Sequence, residues 1–93
     1  MGSAGPAAAN LGGAGLRVAV VASRFNEDFC ARLLAGALAE LAVLNVAAPD
    51  ITTVRVPGAL EIPMALQWLA QSGRYDALIA LGVVSLVLRR LLL

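Results

Sequence analysis

The chain has 93 residues, 60% of them hydrophobic, and a net charge of +1 from seven arginines, no lysine and six acids. That length bounds one domain or part of one, since domains usually run to roughly 100–150 residues. The arginines are scattered, with only Arg89 and Arg90 adjacent, so no nucleic-acid face is indicated; with no histidine and a single cysteine, Cys30, an internal disulfide and the usual zinc sites are excluded.

A mean hydropathy of +0.85 is far above ordinary soluble usage, so helix and sheet faces here are expected to be covered by a larger body or by partner subunits. The apolar run at 77–88 is shorter than the ~20 residues a spanning helix needs, and Arg89 and Arg90 separate it from the final leucines. No membrane segment is expected. Residues 1–15 carry neither a basic start nor a continuous apolar core, which argues against a secretory signal; a lone cysteine fits a reducing, cytoplasmic setting.

In chain order, residues 1–15 are rich in Gly, Ala and Ser and read as a flexible arm, with Asn10-Leu11-Gly12-Gly13 the part expected to dock. Residues 16–22 form an apolar run of the kind found in strands buried on both faces. Ser23-Arg24-Phe25-Asn26 then turns into a helix over 27–44, with Asn26 as N-cap and Glu27 and Asp28 at the positive end of the helix dipole. Phe29, Leu33, Ala37, Leu41 and Leu44 make its expected apolar face. Gly36 is expected to pack closely against the sheet, Asn45 is a left-handed stop, and Cys30 reads as a small buried hydrophobe.

A loop at 47–50 leads to a second strand at 51–56. Val56-Pro57-Gly58-Ala59-Leu60-Glu61-Ile62-Pro63 is the turn at its end. Pro63 suits a first helical turn, and Gly58 allows a positive φ or a close backbone approach. Glu61 stands beside free N–H groups at a helix entrance, where donors and one charged acceptor can hold a polar ligand together. The second helix, 62–72, ends at Gly73, with Trp68 expected to pack, and residues 77–84 are a third apolar strand.

The order β-α-β-α-β with short links predicts right-handed crossovers, a parallel sheet and helices on its faces. Ligands in such sheets gather at the carboxyl ends of the strands. That rim holds Ser23 to Asn26, Gly58 to Glu61 and the residues after the third strand. The turn Ser-Arg-Phe-Asn is not a glycine-rich phosphate loop, so a dinucleotide site is not expected.

Four segments resemble the lumazine synthase family: Gly15 to Val21 leading into Arg24-Phe25-Asn26, Leu33-Leu34 with Gly36-Ala37, Val56-Pro57-Gly58-Ala59-x-Glu61-Ile62-Pro63, and Tyr75-Asp76-Ala77-x-Ile79-Ala80-Leu81-Gly82. The resemblance implies a flavodoxin-like three-layer α/β fold with a parallel sheet, present here as a partial β-α-β-α-β unit over 16–84. It also implies pentamer-based assembly and a transferase of riboflavin biosynthesis that uses neither metal nor organic cofactor. Its substrates would be 5-amino-6-(D-ribitylamino)uracil and 3,4-dihydroxy-2-butanone 4-phosphate. By the same resemblance Phe25 stacks on the pyrimidine ring, Ala59, Leu60 and Glu61 hold the ribityl chain and ring, and Val83 and Val84 line the far edge. Leu60 replaces an aromatic often found at that place.

After Val84 the sequence departs from the family's IRG-x-T-x-H segment, which carries the phosphate-binding turn and the catalytic histidine, and reads Ser85-Leu86-Val87-Leu88-Arg89-Arg90-Leu91-Leu92-Leu93. The expectation is a truncated lumazine synthase with a divergent apolar tail over 85–93, and no catalytic residue of its own. The alternative is a non-catalytic fragment that associates with itself or with intact subunits.

Overall fold

A computed structural model of the chain describes residues 12–83. Residues 1–11 of the arm expected over 1–15, Val84 and the tail over 85–93 lie outside the described residues. The elements are β1 (Val18–Ser23), α1 (Glu27–Val43), β2 (Ile51–Val56), α2 (Ile62–Gln71) and β3 (Ala77–Leu81), with single 3-10 turns at Ala48–Asp50 and Ala59–Glu61.

The run Val-Ala-Val-Val-Ala becomes the middle of the sheet because its side chains are apolar on both faces. All six residues of β1 are buried. Strand order is β2-β1-β3, all parallel, with Val18 level with Ile51 and Ala77 at one end and Ser23 level with Val56 at the other. Alternation divides the core in two. Val18 and Val20 meet Leu34 and Leu41 of α1, with Ile51, Ile79 and Leu81, while Val21 and Val56 meet Ile62, Ala65, Leu66 and Leu69 of α2. The helices therefore cover opposite faces. Two crossovers of the same hand require this, since the chain steps from β1 to one side and then returns past β1 to the other.

Several local expectations are corrected by this packing. Asn26 occupies the N-cap position but makes no side-chain cap bond; it sits at φ 54°, so its contribution is tolerance of the left-handed turn from strand to helix. That turn sets the rotation of α1, and the inward stripe runs through Cys30, Leu34 and Leu41 while Phe29 is 57% exposed. Gly36 is exposed, and a Cβ there would meet nothing within 4 Å among the described residues. Trp68 is 66% exposed: α2 has apolar residues on more than its inner side, and Ile62, Ala65 and Leu69 take the sheet side instead.

Other details agree with the sequence reading. Asn45 and Gly73 take positive φ at the ends of α1 and α2, and a proline lies in the first turn of α2. Of the stretch expected to dock, Asn10 and Leu11 lie outside the described residues, while Gly13 is buried and a Cβ there would collide with the Leu44 carbonyl, so only glycine permits the approach. The loop before β2 is a 3-10 turn. The third strand departs from the reading: expected over 77–84 and buried, it ends at Leu81 and is partly exposed, because it lies at the edge of the sheet formed by the described residues.

Candidate functional site at the carboxyl rim

The loops leaving β1 and β2 start level with one another and depart toward opposite faces, the arrangement at which parallel sheets commonly bind ligands. The register even continues one step beyond the strands, with the Arg24 N–H donating to the Val56 carbonyl at 2.8 Å.

Phe25 is held by its backbone on both sides. Its N–H donates to the hydroxyl of fully buried Ser23 at 3.0 Å, and its carbonyl accepts from the Cys30 thiol at 3.0 Å. The thiol is thus a hydrogen-bonding strut as well as a small buried group. The ring is left 49% exposed above this fixed backbone. An aromatic face presented in this way offers a flat surface for a heterocycle at little entropic cost, because the chain is already ordered.

From β2, Arg55 reaches across to the same turn. Its Nε donates to the Ala22 carbonyl at 3.3 Å, and its Nη2 donates to the Ser23 carbonyl at 3.2 Å and to Glu27 Oε1 at 2.5 Å. Sequence reasoning placed Ser23 on the rim and Cys30 in the core without their hydrogen bonds, and missed Arg55 altogether. A signal existed for two of them: Ser two residues before Phe25 can bond the backbone N–H, and a lone arginine in the strand Ile-Thr-Thr-Val-Arg-Val needs a partner.

The second loop is built differently. Gly58 is extended, at φ −154°, so the positive φ allowed by the sequence is not used. The close approach is used: a Cβ at Gly58 would lie 3.2 Å from Glu61 Oε1. Ala59–Glu61 then forms a 3-10 turn in which the Glu61 N–H donates to the Gly58 carbonyl at 3.2 Å. Leu60 is 91% exposed and the Glu61 carboxylate is exposed. Beside them, Val56, Leu60, Glu61, Met64, Ala65 and Trp68 line an open depression of about 310 Å³.

The third strand closes the rim. A Cβ on Gly82 would stand 3.0 Å from Ile62 Cδ1, 3.6 Å from Ala59 Cβ and 3.8 Å from Ser23 Cβ, so this glycine lets the exits of all three strands converge. Val83, just beyond, is partly buried. Phe25, Ala59, Leu60, Glu61 and Val83 thus belong to one end of the sheet, and Val84 lies outside the described residues. Glu61 lines the depression beside α2, and Phe25 is not among the residues that line it. A separate depression of about 510 Å³ lies at the start of α1, between Asn26, Asp28, Phe29 and Arg32.

The amino end of the sheet is closed by a different device. The Arg17 N–H donates to Asp76 Oδ2 at 2.9 Å and the Asp76 N–H donates to the Arg17 carbonyl at 2.8 Å. The hydrogen bond from the Arg17 N–H, aided by the Arg17 guanidinium, holds the Asp76 carboxyl below its ordinary range. Among the described residues no group of three His, Cys, Asp or Glu side chains could hold a metal ion, and no helix is long and apolar enough to cross a membrane.

The profile of the 6,7-dimethyl-8-ribityllumazine synthase family matches residues 15–86. Curated relatives bearing that name include proteins of Cupriavidus pinatubonensis and Ralstonia pickettii, each 56% identical over 75 residues, and of Burkholderia multivorans, 59% identical over 75 residues. These alignments cover 81% of this chain and 44–45% of the relatives, so the chain spans about half the length of the curated relatives it matches. With its three-stranded parallel sheet and a profile match that runs through all five strands and helices, the chain belongs to the 6,7-dimethyl-8-ribityllumazine synthase family.

Proposed function

We propose that the chain supplies the heterocycle- and ribityl-binding part of a lumazine synthase site in riboflavin biosynthesis. The full transferase reaction condenses 5-amino-6-(D-ribitylamino)uracil with 3,4-dihydroxy-2-butanone 4-phosphate, releasing water and phosphate, without a cofactor. In this reading Phe25 stacks on the pyrimidine ring, and Ala59, Leu60 and Glu61 hold the ribityl chain and ring edge by backbone groups and carboxylate. Val83 and Val84 line the far side. The observation that carries the reading is a half-exposed ring on a backbone tied at both ends, at the same end of the sheet as an exposed carboxylate. A stacking face and an ionised acceptor for hydroxyl donors suit a flat heterocycle bearing a sugar alcohol.

The 93 residues include no histidine, so the chain has no imidazole acid–base group for the condensation and elimination steps. Such a group typically contributes about 10²–10⁴ in rate. Titrating the chain with 5-amino-6-(D-ribitylamino)uracil by calorimetry, and monitoring fluorescent lumazine after adding both substrates, tests both parts. Saturable binding without turnover is expected. Absence of binding refutes the site, and turnover at the level of a full-length family member refutes the catalytic part.

A second reading is favoured by an apolar row beside α2, where Leu60 of the preceding 3-10 turn and Met64 and Trp68 of the helix are 91%, 59% and 66% exposed and line one depression. Such a row is expected to be covered by other subunits, in the pentamer-based assembly of the family, or by association of this chain with itself. The unit in question spans 16–84, with 1–15 as an arm and 85–93 as a divergent tail, in a cytoplasmic setting consistent with the free, buried Cys30 thiol. Size-exclusion chromatography decides this point: a clean monomer at micromolar concentration contradicts it.

A further inference from the structure

We infer that Arg55 is the positioning residue for the Phe25 ring, an inference that rests on the ligand site proposed for the carboxyl rim. Arg55 lies on β2, yet every polar contact of its side chain among the described residues is to residues that flank the other loop of the rim. One guanidinium joins the last two carbonyls of β1, at Ala22 and Ser23, to the first-turn carboxylate of α1, Glu27. These acceptors flank Arg24-Phe25-Asn26 on both sides, so a single planar group spans the segment that carries the ring.

Other restraints act beside it: Ser23 holds the Phe25 N–H, Cys30 of α1 holds its carbonyl, the Arg24 N–H reaches the Val56 carbonyl of β2, and Asn26 makes the left-handed turn. Each of these hydrogen bonds is a single one, whereas the guanidinium joins the end of β1 and the start of α1 at once. Arg55 couples those two elements to β2, the strand that leads to Ala59–Glu61, and so sets the ring relative to the second loop of the same site. A guanidinium suits this task because its rigid fork of donors serves several acceptors at once, whereas an ammonium is a point charge on a flexible stem. Its side chain is 24% exposed and that of Glu27 54% exposed, so the pair is partly shielded while the ring itself stays open to solvent. The gain expected from such a brace is preorganisation: a ring set before ligand arrives loses less freedom on binding.

The test compares the chain with Arg55→Met, Arg55→Lys and Glu27→Gln by titration with 5-amino-6-(D-ribitylamino)uracil and by NMR order parameters of the ligand-free Phe25 and Asn26 amides. Leu41→Ala, a core change remote from the turn, serves as a control for lowered global stability. Arg55→Met is expected to bind about tenfold more weakly and to lower both order parameters, with Arg55→Lys and Glu27→Gln intermediate. Leu41→Ala is expected to lose stability with both readouts at the turn unchanged. Where Arg55→Met does not fold, the two milder variants carry the comparison. Unchanged order parameters in the folded Arg55 variants overturn the inference whether or not ligand binds. If the unmodified chain binds no ligand but the variants loosen the turn, the ligand site fails while Arg55 stands as the brace of that turn.

Discussion

The loops leaving β1 and β2 share one rim but are stabilised in contrasting ways. The first grows from a strand that is buried throughout, and buried or partly buried polar groups tie it: Ser23, Cys30 and Arg55 all bond its backbone. The second rests on a 3-10 turn with no side-chain cap, and its most prominent residue, Leu60, is 91% exposed. A fixed aromatic platform thus stands beside an adaptable arm. Substitutions in the first loop should cost stability, whereas those in the second should cost binding alone.

The largest contrast is expected from apolar truncation. Val20→Ala, at a fully buried position of β1, should lower stability by roughly 1.5–3 kcal/mol, while Leu60→Ala should stay within about 0.5 kcal/mol, both measured by urea unfolding. Equal losses would erase the distinction. Next comes the polar comparison: Ser23→Ala strips the Phe25 N–H of its acceptor and should cost about 1–2 kcal/mol. Glu61→Ala, by contrast, should leave the urea midpoint nearly unmoved and abolish ligand affinity in calorimetry. Asn26→Ala should cost about 1 kcal/mol through the left-handed backbone, and Asn26→Gly should recover it.

The smallest effect concerns the amino end and separates it from the rim. Because the folded-state pKa of Asp76 is depressed, its contribution is fully present above the unfolded carboxylate pKa and is lost as pH falls through the lower folded value. Acid titration of the chain and of Asp76→Asn should therefore reveal a stability difference that is lost across and below the usual carboxylate range, and the difference should shrink in high salt because the pair is exposed. A difference that survived unchanged at the acid end would have another origin.

The strand-helix alternation, the parallel sheet and the identity of the rim were legible because β-branched apolar runs, helix stops at Asn45 and Gly73, and a proline at the start of α2 each act locally. The features that were not legible depended on rotation and on contacts between distant segments. Heptad-like spacing in α1 fits both a Phe29 stripe and a Cys30 stripe, and only the left-handed Asn26 selects between them. Trp68 defeats a sequence reading for a related reason, since α2 has apolar residues on both sides and only one side meets the sheet. Phe25 and Glu61 could be named from the sequence by family resemblance, but Arg55 could not, because its acceptors lie 28 to 33 residues away in the chain.

The most direct test is an NMR titration of the isotope-labelled chain with 5-amino-6-(D-ribitylamino)uracil. Amide shifts at Ser23 to Asn26 and at Ala59 to Glu61 should move together and fit one dissociation constant, with Arg17, Arg74 and Tyr75 at the opposite end unchanged. Shifts confined to one loop, two unequal constants, or a response centred on the amino end would contradict a shared site at the carboxyl rim.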